Sequence, residues 1–284
     1  MKQFELARPA TVAEALPLLG MGSGVLAGGT DLLIELRQNE GPSQVVDITG
    51  INELRYIRRE GDYLLIGALT THSMLAQSDL VRQYGGPLSR AAAVVGAPQI
   101  RNRGTIGGNV ANAAVCADTV PALVALDAIV RLESTAGVRE LLVAEFITGP
   151  NRTVREPGEL ITQFRFKLLP AGGSWGFQRL ARREALAVAR MNVAVVMVRD
   201  KAGVVTHLSI APGSVLPSPA RISEAEGVLV GQMPTDKLLR EAGEAVAAKM
   251  VAEAGRRWST PYKEPVIISL VERALKQALG VEWE

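Results

Sequence analysis

Short apolar runs alternate with helical patterns along the first 170 residues of the chain. Runs of β-branched and apolar residues, typical of buried strands, occur at 25–27, 44–48 and 63–67. Patterns that predict helices occur at 32–37, 73–77 and 86–94. Thr11 and Glu14 have the spacing of a capping box, which predicts a helix start. This alternation predicts an α/β region.

The pattern changes after residue 151. Residues 158–166 alternate as a strand does, and two β-rich runs, 191–199 and 204–210, flank a turn at residues 200–203 that favours a hairpin. Long helical patterns then close the chain at 235–254 and 265–279. We therefore predict two domains, 1–172 and 173–284, the second with a small antiparallel sheet and packed helices.

Composition and charge exclude several classes of function. Among 284 residues, 31 Lys and Arg face 29 Asp and Glu, and a net charge of +2 does not favour a nucleic acid or an acidic membrane as partner. The single cysteine, Cys116, cannot hold an iron–sulfur cluster or a structural zinc ion. The chain has no apolar run of the roughly 20 residues that span a bilayer, and its start lacks the apolar core of a signal peptide. We expect a cytoplasmic protein.

Two glycine-rich loops are the candidate ligand-binding segments. Gly28-Gly29 joins a predicted strand to a predicted helix, where glycine lets the backbone approach a ligand and N–H groups can bind phosphate. Gly107-Gly108 repeats this arrangement beside Thr105 and Asn109. Neither loop has the lysine of a P-loop or the spacing of a Rossmann motif, and a tight strand–helix turn is an equal alternative for the first loop. Together they favour the pyrophosphate of a dinucleotide.

Asp118 follows nine residues after Asn109. An aspartate directly before a helix is most often its N-cap, so a ligand-binding role is the less favoured alternative. Arg101 and Arg103 are either loop cations in solvent or contacts to phosphate or a partner. His72 and His207 have no neighbouring nucleophile or carboxylate pair in the sequence, so we assign them no catalytic role.

Three motifs in this order resemble a known family. Residues 27–33 (AGGTDLL), 99–109 (QIRNRGTIGGN) and 117–123 (ADTVPAL) are similar to the FAD-binding subunit of the molybdenum hydroxylases, of the xanthine dehydrogenase and carbon monoxide dehydrogenase type. The resemblance continues to residue 231. It implies an α+β fold, with an α/β-type FAD-binding domain of the PCMH/vanillyl-alcohol-oxidase-like kind followed by a smaller α+β domain.

The resemblance also implies cofactor-binding residues. The family's first FAD loop corresponds to Val25, Leu26, Ala27, Gly28, Gly29, Thr30, Asp31 and Leu32. Its second loop corresponds to Thr105, Ile106, Gly107, Gly108 and Asn109, and its acidic contact to the FAD side chain corresponds to Asp118. Ile161 and Gln178 match positions beside the flavin. No acid–base residue and no metal ligand is nominated.

The resemblance also raises questions about the cofactor contacts of three further positions. Gln178 stands where several family members have lysine, and an amide stabilises a reduced, negatively charged flavin less than a cation does. We therefore predict a lower flavin potential than in a lysine-bearing relative. Val95 stands where some relatives have a larger cofactor contact. Trp175 either approaches the flavin or packs in the core, and the core is favoured.

The function that the resemblance implies is electron transfer through FAD. Electrons from substrate oxidised at a molybdopterin-binding large subunit would cross 2Fe-2S clusters in a small subunit and reach FAD in this chain. NAD+ or another acceptor would then receive them, within a heterotrimer or a dimer of heterotrimers. Two alternatives are a self-sufficient FAD-dependent oxidoreductase and a non-enzymatic interaction subunit with a decayed flavin site.

Overall fold

The computed structural model of the protein describes residues 3–170, 172–183 and 186–281. Its first layer is a parallel sheet with strand order β1-β3-β2, formed by β1 (Glu5–Ala7), β2 (Ser23–Leu26) and β3 (Gln44–Asp47). The connecting helices are α1 (Val12–Ala15) and α2 (Leu32–Arg37). The Thr11 hydroxyl accepts from the Glu14 N–H, and the Glu14 carboxylate accepts from the Ala10 N–H, so reciprocal capping starts α1 as predicted.

The second layer is an antiparallel sheet of five strands with helices packed against it. Its order is β4-β5-β10-β6-β7, formed by β4 (Ile57–Glu60), β5 (Tyr63–Gly67), β6 (Ile129–Ser134), β7 (Gly137–Leu142) and β10 (Leu160–Lys167). The helices are α3 (His72–Gln77), α4 (Asp79–Tyr84), α5 (Gly86–Ala93), α6 (Pro98–Arg103), α7 (Ile106–Asn112), α8 (Thr119–Ala125) and α9 (Val143–Phe146). A short hairpin, β8 (Ile147–Gly149) and β9 (Arg152–Thr153), follows α9.

The C-terminal part is a three-stranded antiparallel sheet with helices on one face. It comprises β11 (Gly173–Ala181), β12 (Ala189–Arg199), β13 (Val205–Gly213), α10 (Ser223–Leu229), α11 (Asp236–Ala254) and α12 (Thr260–Leu279). The predicted hairpin at residues 200–203 joins β12 to β13. Helix α12 starts five residues before the predicted start and includes Pro265 within it.

The sheet β11–β13 is buried on both faces. Ala194 and Val196 pack in the core of the five-stranded layer, whereas Val193 and Val195 pack against the C-terminal helices. This double burial explains why β12 is almost continuously apolar. The same arrangement brings β11 beside the N-terminal part, where the candidate site lies. No helix in the described ranges is long and apolar enough to cross a membrane.

Candidate functional site

A cavity of about 780 Å³ lies where the two N-terminal layers meet the C-terminal sheet. Its volume is in the upper part of the range of roughly 300–1,000 Å³ that is usual for ligand pockets. Thirteen of the sixteen predicted site residues line it: Val25, Ala27, Gly28, Gly29, Thr30, Asp31, Leu32, Thr105, Gly107, Gly108, Asn109, Asp118 and Ile161. Leu26, Ile106 and Gln178 do not. The topology thus brings together segments that are distant in sequence.

The first glycine loop presents a run of backbone donors to the cavity. Among the hydrogen bonds of the described residues, none uses the N–H groups of residues 27–32. Gly29 has a φ of +75°, which favours glycine. A Cβ on Gly28 would lie 2.2 Å from the Arg103 carbonyl oxygen, so only glycine fits against the end of α6. Consecutive unbonded N–H groups at a helix start form a site for an anion such as a pyrophosphate.

The second glycine loop serves a different purpose. The N–H of Ile106 donates to Thr70 O at 3.0 Å, and that of Gly107 donates to Ala68 O at 2.9 Å. The Gly108 N–H donates to Thr105 Oγ1. A Cβ on Gly107 would lie 2.8 Å from the Ala68 oxygen. Gly107 therefore allows α7 to pack closely on the segment after β5, and the sequence-based analogy between the two loops does not extend to their N–H groups.

Side chains join the two loops. The Asn112 Nδ2 donates to Asp31 Oδ1 at 3.1 Å, and the Thr30 hydroxyl donates to the other oxygen of Asp31 at 3.0 Å. Within the second segment, the Thr119 hydroxyl donates to Asn109 Oδ1 at 2.6 Å. Asp31 therefore holds the first loop against α7.

Asp118 is the centre of a buried junction between the N-terminal and C-terminal parts. Its Oδ1 accepts from Arg179 Nε and from Asn192 Nδ2, both at 2.9 Å. Asp118 is the N-cap residue of α8, as the favoured alternative predicted, but its side chain bonds to Arg179 and Asn192 and makes no capping hydrogen bond. Burial raises the pKa of Asp118, and Arg179 and Asn192 oppose this rise. Arg179 also donates to the carbonyl of Ala187, which lines the cavity.

Gln178 lies on the opposite face of β11 from Arg179. Its Nε2 donates to Gln277 Oε1 of α12 at 3.0 Å, so its side chain is directed towards the C-terminal helices. Gln178 does not line the cavity, and both its predicted contact with flavin and the lower flavin potential stay predictions. Trp175, on the same face as Arg179, packs over Gly86 at the start of α5, in the core as favoured.

His72 is one of the cavity-lining residues that sequence reasoning did not predict. Its side chain is buried, and a Cβ on Gly104 would lie 3.1 Å from its ring, so the imidazole packs directly on the chain before α7. Burial and the nearby Arg101 cation together lower the pKa of His72 to about 4, although Asp31 opposes this shift. Arg101 itself donates to the carbonyls of Val95 and Gly96, which holds the Val95 segment at the cavity wall. No local motif around His72 indicates this placement.

An ion pair fixes the start of β10 at the cavity. Arg139 binds both carboxylate oxygens of Glu159, with Nε–Oε1 and Nη2–Oε2 distances of 2.5 and 2.8 Å. The hydrogen bonds from Arg139 hold the pKa of Glu159 below its usual value. Because Glu159 and Ile161 both line the cavity, this pair positions the apolar contact at Ile161.

The cavity fits FAD better than a metal or a triphosphate. The unbonded N–H groups of residues 27–32 suit a pyrophosphate, and Val95, Leu160 and Ile161 offer apolar contacts to rings. The described residues contain no group of three or more His, Cys, Asp or Glu that could hold a metal ion. Burial raises the pKa of Cys116, so its thiol is protonated at neutral pH. The fold and the site define an FAD-binding domain that is followed by a C-terminal part with its own sheet and helices.

Comparisons with known proteins identify the family. The family "FAD binding domain in molybdopterin dehydrogenase" matches residues 2–167, and "CO dehydrogenase flavoprotein C-terminal domain" matches residues 176–278. The chain therefore belongs to the FAD-binding medium subunits of the molybdenum hydroxylases, which are oxidoreductase subunits.

Individual relatives agree with this assignment. The chain is 38% identical to the nicotinate dehydrogenase FAD-subunit of Eubacterium barkeri, over 81% of each chain. It is 34% identical to the carbon monoxide dehydrogenase medium chain of Hydrogenophaga pseudoflava, over 97% of each. A chain in the solved structure of the latter enzyme superposes with a TM-score of 0.91 at 33% identity, covering 98% of both chains. The α+β fold expected from the resemblance is confirmed.

Proposed function

We propose that this chain holds FAD in the cavity and acts as the electron-output subunit of a molybdenum hydroxylase complex. Its partners would be a molybdopterin-binding large subunit and a 2Fe-2S small subunit, assembled as a heterotrimer or a dimer of heterotrimers. NAD+ or another acceptor would receive the electrons. The observation that carries the proposal is the run of unbonded N–H groups at residues 27–32, all of which line a cavity with apolar walls.

The residues supply binding and orientation. The first loop would hold the pyrophosphate, the apolar residues Val95 and Ile161 would contact the rings, and the Asp118–Arg179 junction would fix the wall towards the C-terminal sheet. FAD, when bound, supplies the redox chemistry by which electrons are taken up and passed on. His72 stays neutral above a pH of about 4 and so adds no charge to the cavity wall.

Two measurements test this proposal, the first on the purified chain and the second on the complex. Its visible absorption spectrum, with mass identification of the chromophore released on denaturation, should show FAD. Co-expression with the two candidate partner subunits should then give a complex that contains molybdenum, iron and FAD and reduces NAD+ or an artificial dye. A chain that neither carries FAD nor takes it up would contradict the cofactor assignment. Turnover of a substrate by the chain alone would favour a self-sufficient oxidoreductase.

A further inference from the structure

The C-terminal part carries a group of cationic and aromatic residues at the starts of β12 and α12, all exposed except one half-buried lysine. We call it the cationic–aromatic patch: Arg190, Arg257, Trp258, Tyr262 and Lys263. Trp258 is 95% exposed and Tyr262 is 47% exposed. The Arg190 Cζ lies 5.9 Å from the centre of the Tyr262 ring, which joins the two elements. Large aromatic side chains with this exposure are unusual on a surface that contacts only water.

The three cations of the patch are not neutralised. None of the ion pairs within residues 3–170, 172–183 and 186–281 includes Arg190, Arg257 or Lys263. The adjacent carboxylate, Glu264, pairs instead with Arg256 at 3.6 Å. Burial lowers the pKa of Lys263, and Arg257 and Arg190 lower it further. Each cation thus repels the others, and an anionic partner surface would relieve this repulsion.

The patch lies beside the cavity. Lys263 Nζ donates to the Ser214 carbonyl at 2.9 Å, and the Ser214 hydroxyl donates to the Val115 carbonyl at 3.1 Å. Val115 directly precedes the cavity residue Cys116. On the other side, Val188 lines the cavity, is 68% exposed and stands two residues before Arg190. A partner seated on the patch would therefore lie next to the cavity.

We propose that the cationic–aromatic patch docks an acidic face of the electron-donating iron–sulfur subunit, an inference that rests on the proposed function. Electron donation requires the donor to approach the cavity, and the patch lies beside it. Thiolate-ligated clusters and an acidic face around them would complement three unneutralised cations. Trp, Tyr and Arg are also the residues that contribute most at protein interfaces.

The test uses the full-length, FAD-loaded chain titrated with the co-expressed large and small subunits. The variants are Trp258→Ala and Arg190→Glu, both at exposed positions. The matched controls are Met21→Ala, which removes another highly exposed apolar side chain, and Lys201→Glu, which reverses an exposed charge in the turn at the other end of β12. We expect each patch variant to weaken assembly at least tenfold and each control to weaken it less than twofold. The flavin absorbance of every variant should equal that of the unaltered chain.

Two further readouts make the inference specific. Assembly of the unaltered chain should weaken as salt is raised, and Arg190→Glu should reduce this salt dependence. Hydrogen exchange of residues 256–263 should slow when the small subunit binds. Unchanged exchange, or patch variants that assemble as tightly as the controls, would overturn the inference while leaving the proposed function intact. Protection of the patch by a second copy of this chain would also overturn it. An FAD-loaded chain that never binds the two subunits would overturn both proposals.

Discussion

The imidazole of His72 shows how a residue can line a cavity without a recognisable motif in the sequence. It lies at the start of α3, its backbone N–H donates to Gly104 O at 3.1 Å, and its ring packs on the chain that leads into α7. Its Nδ1 is buried and has no hydrogen-bond partner among the residues that the structure describes. Burial lowers the pKa of His72 to about 4, so the folded protein holds the neutral form.

The stability of the protein should therefore fall as the pH drops from about 6.5 to about 4. In this window the unfolded chain binds a proton at His72 and the folded chain does not, so acidification favours unfolding by up to about 3 kcal/mol. In His72→Leu this part of the pH dependence should disappear. Urea unfolding at a series of pH values measures this pH dependence of the free energy of unfolding. The control is His207→Gln, because His207 is exposed. An unchanged slope in His72→Leu would show that the imidazole is not held neutral.

Gly28 allows a second prediction at the scale of one residue. A Cβ there would lie 2.2 Å from the Arg103 carbonyl oxygen, so Gly28→Ala must move the first loop away from α6 and redirect its N–H groups. We expect FAD affinity to fall at least tenfold, which is about 1.4 kcal/mol. Gly50→Ala is the matched control, because a Cβ at Gly50 meets no atom within 4 Å. Equilibrium dialysis of FAD compares the two, and equal affinities would contradict the role of the first loop.

At the scale of elements, local patterns predicted most helices and strands. The helix from Leu32 to Arg37, the strand at 63–67 and the hairpin at 200–203 are confirmed because capping, β-branched runs and turn residues act over short distances. Strand pairing was not predictable in this way. Strand β10 lies between β5 and β6, and a local pattern does not specify partners that are about a hundred residues away, as β5 is, or about thirty, as β6 is.

The candidate site, like the fold, was predictable from the sequence only in part. The resemblance located thirteen residues that line the cavity, but it did not distinguish the unbonded N–H groups of the first loop from the bonded ones of the second. It also selected Gln178 rather than Arg179. Both faces of β11 are covered, so alternation of polarity does not show which side chain is directed towards Asp118. Which of these two side chains reaches Asp118 depends on how β11 packs against α12. The division of the chain at residue 172 stays a prediction.

Breaking the buried ion pair between Arg179 of β11 and Asp118 should lower the free energy of unfolding substantially. Arg179 and Asp118 are 9% and 6% exposed, so Arg179→Met would leave a buried carboxylate without its cation. We expect a loss of about 3 kcal/mol in the free energy of unfolding and weaker FAD binding, with partial recovery in the double variant with Asp118→Asn. The control is Arg58→Met, which removes an exposed pair with Glu60 and should cost about 0.5 kcal/mol. Denaturant unfolding that shows equal losses for Arg179→Met and Arg58→Met would contradict this account.

At the scale of the whole molecule, β11 joins two cores. Its residues Trp175 and Arg179 contact the N-terminal part, whereas Gly176 and Gln178 contact α12. The side chains thus alternate between the two cores along one strand. A displacement of β11 must therefore affect both the cavity proposed to hold FAD and the C-terminal helices, and we expect the protein to unfold as one cooperative unit.

Gly176→Ala tests this coupling directly. A Cβ on Gly176 would lie 1.9 Å from the Ala274 carbonyl oxygen, so the variant must push β11 away from α12. Overpacking of this kind should cost about 2 kcal/mol, and because β11 also carries Arg179, FAD should bind more weakly although Gly176 does not line the cavity. Gly227→Ala, in α10, is the control, since a Cβ there meets no atom within 4 Å and alanine favours the helix. Far-UV circular dichroism and FAD fluorescence should report coincident unfolding transitions for the variant and the control. A C-terminal part that unfolds first while FAD stays bound would show that the two cores are energetically independent.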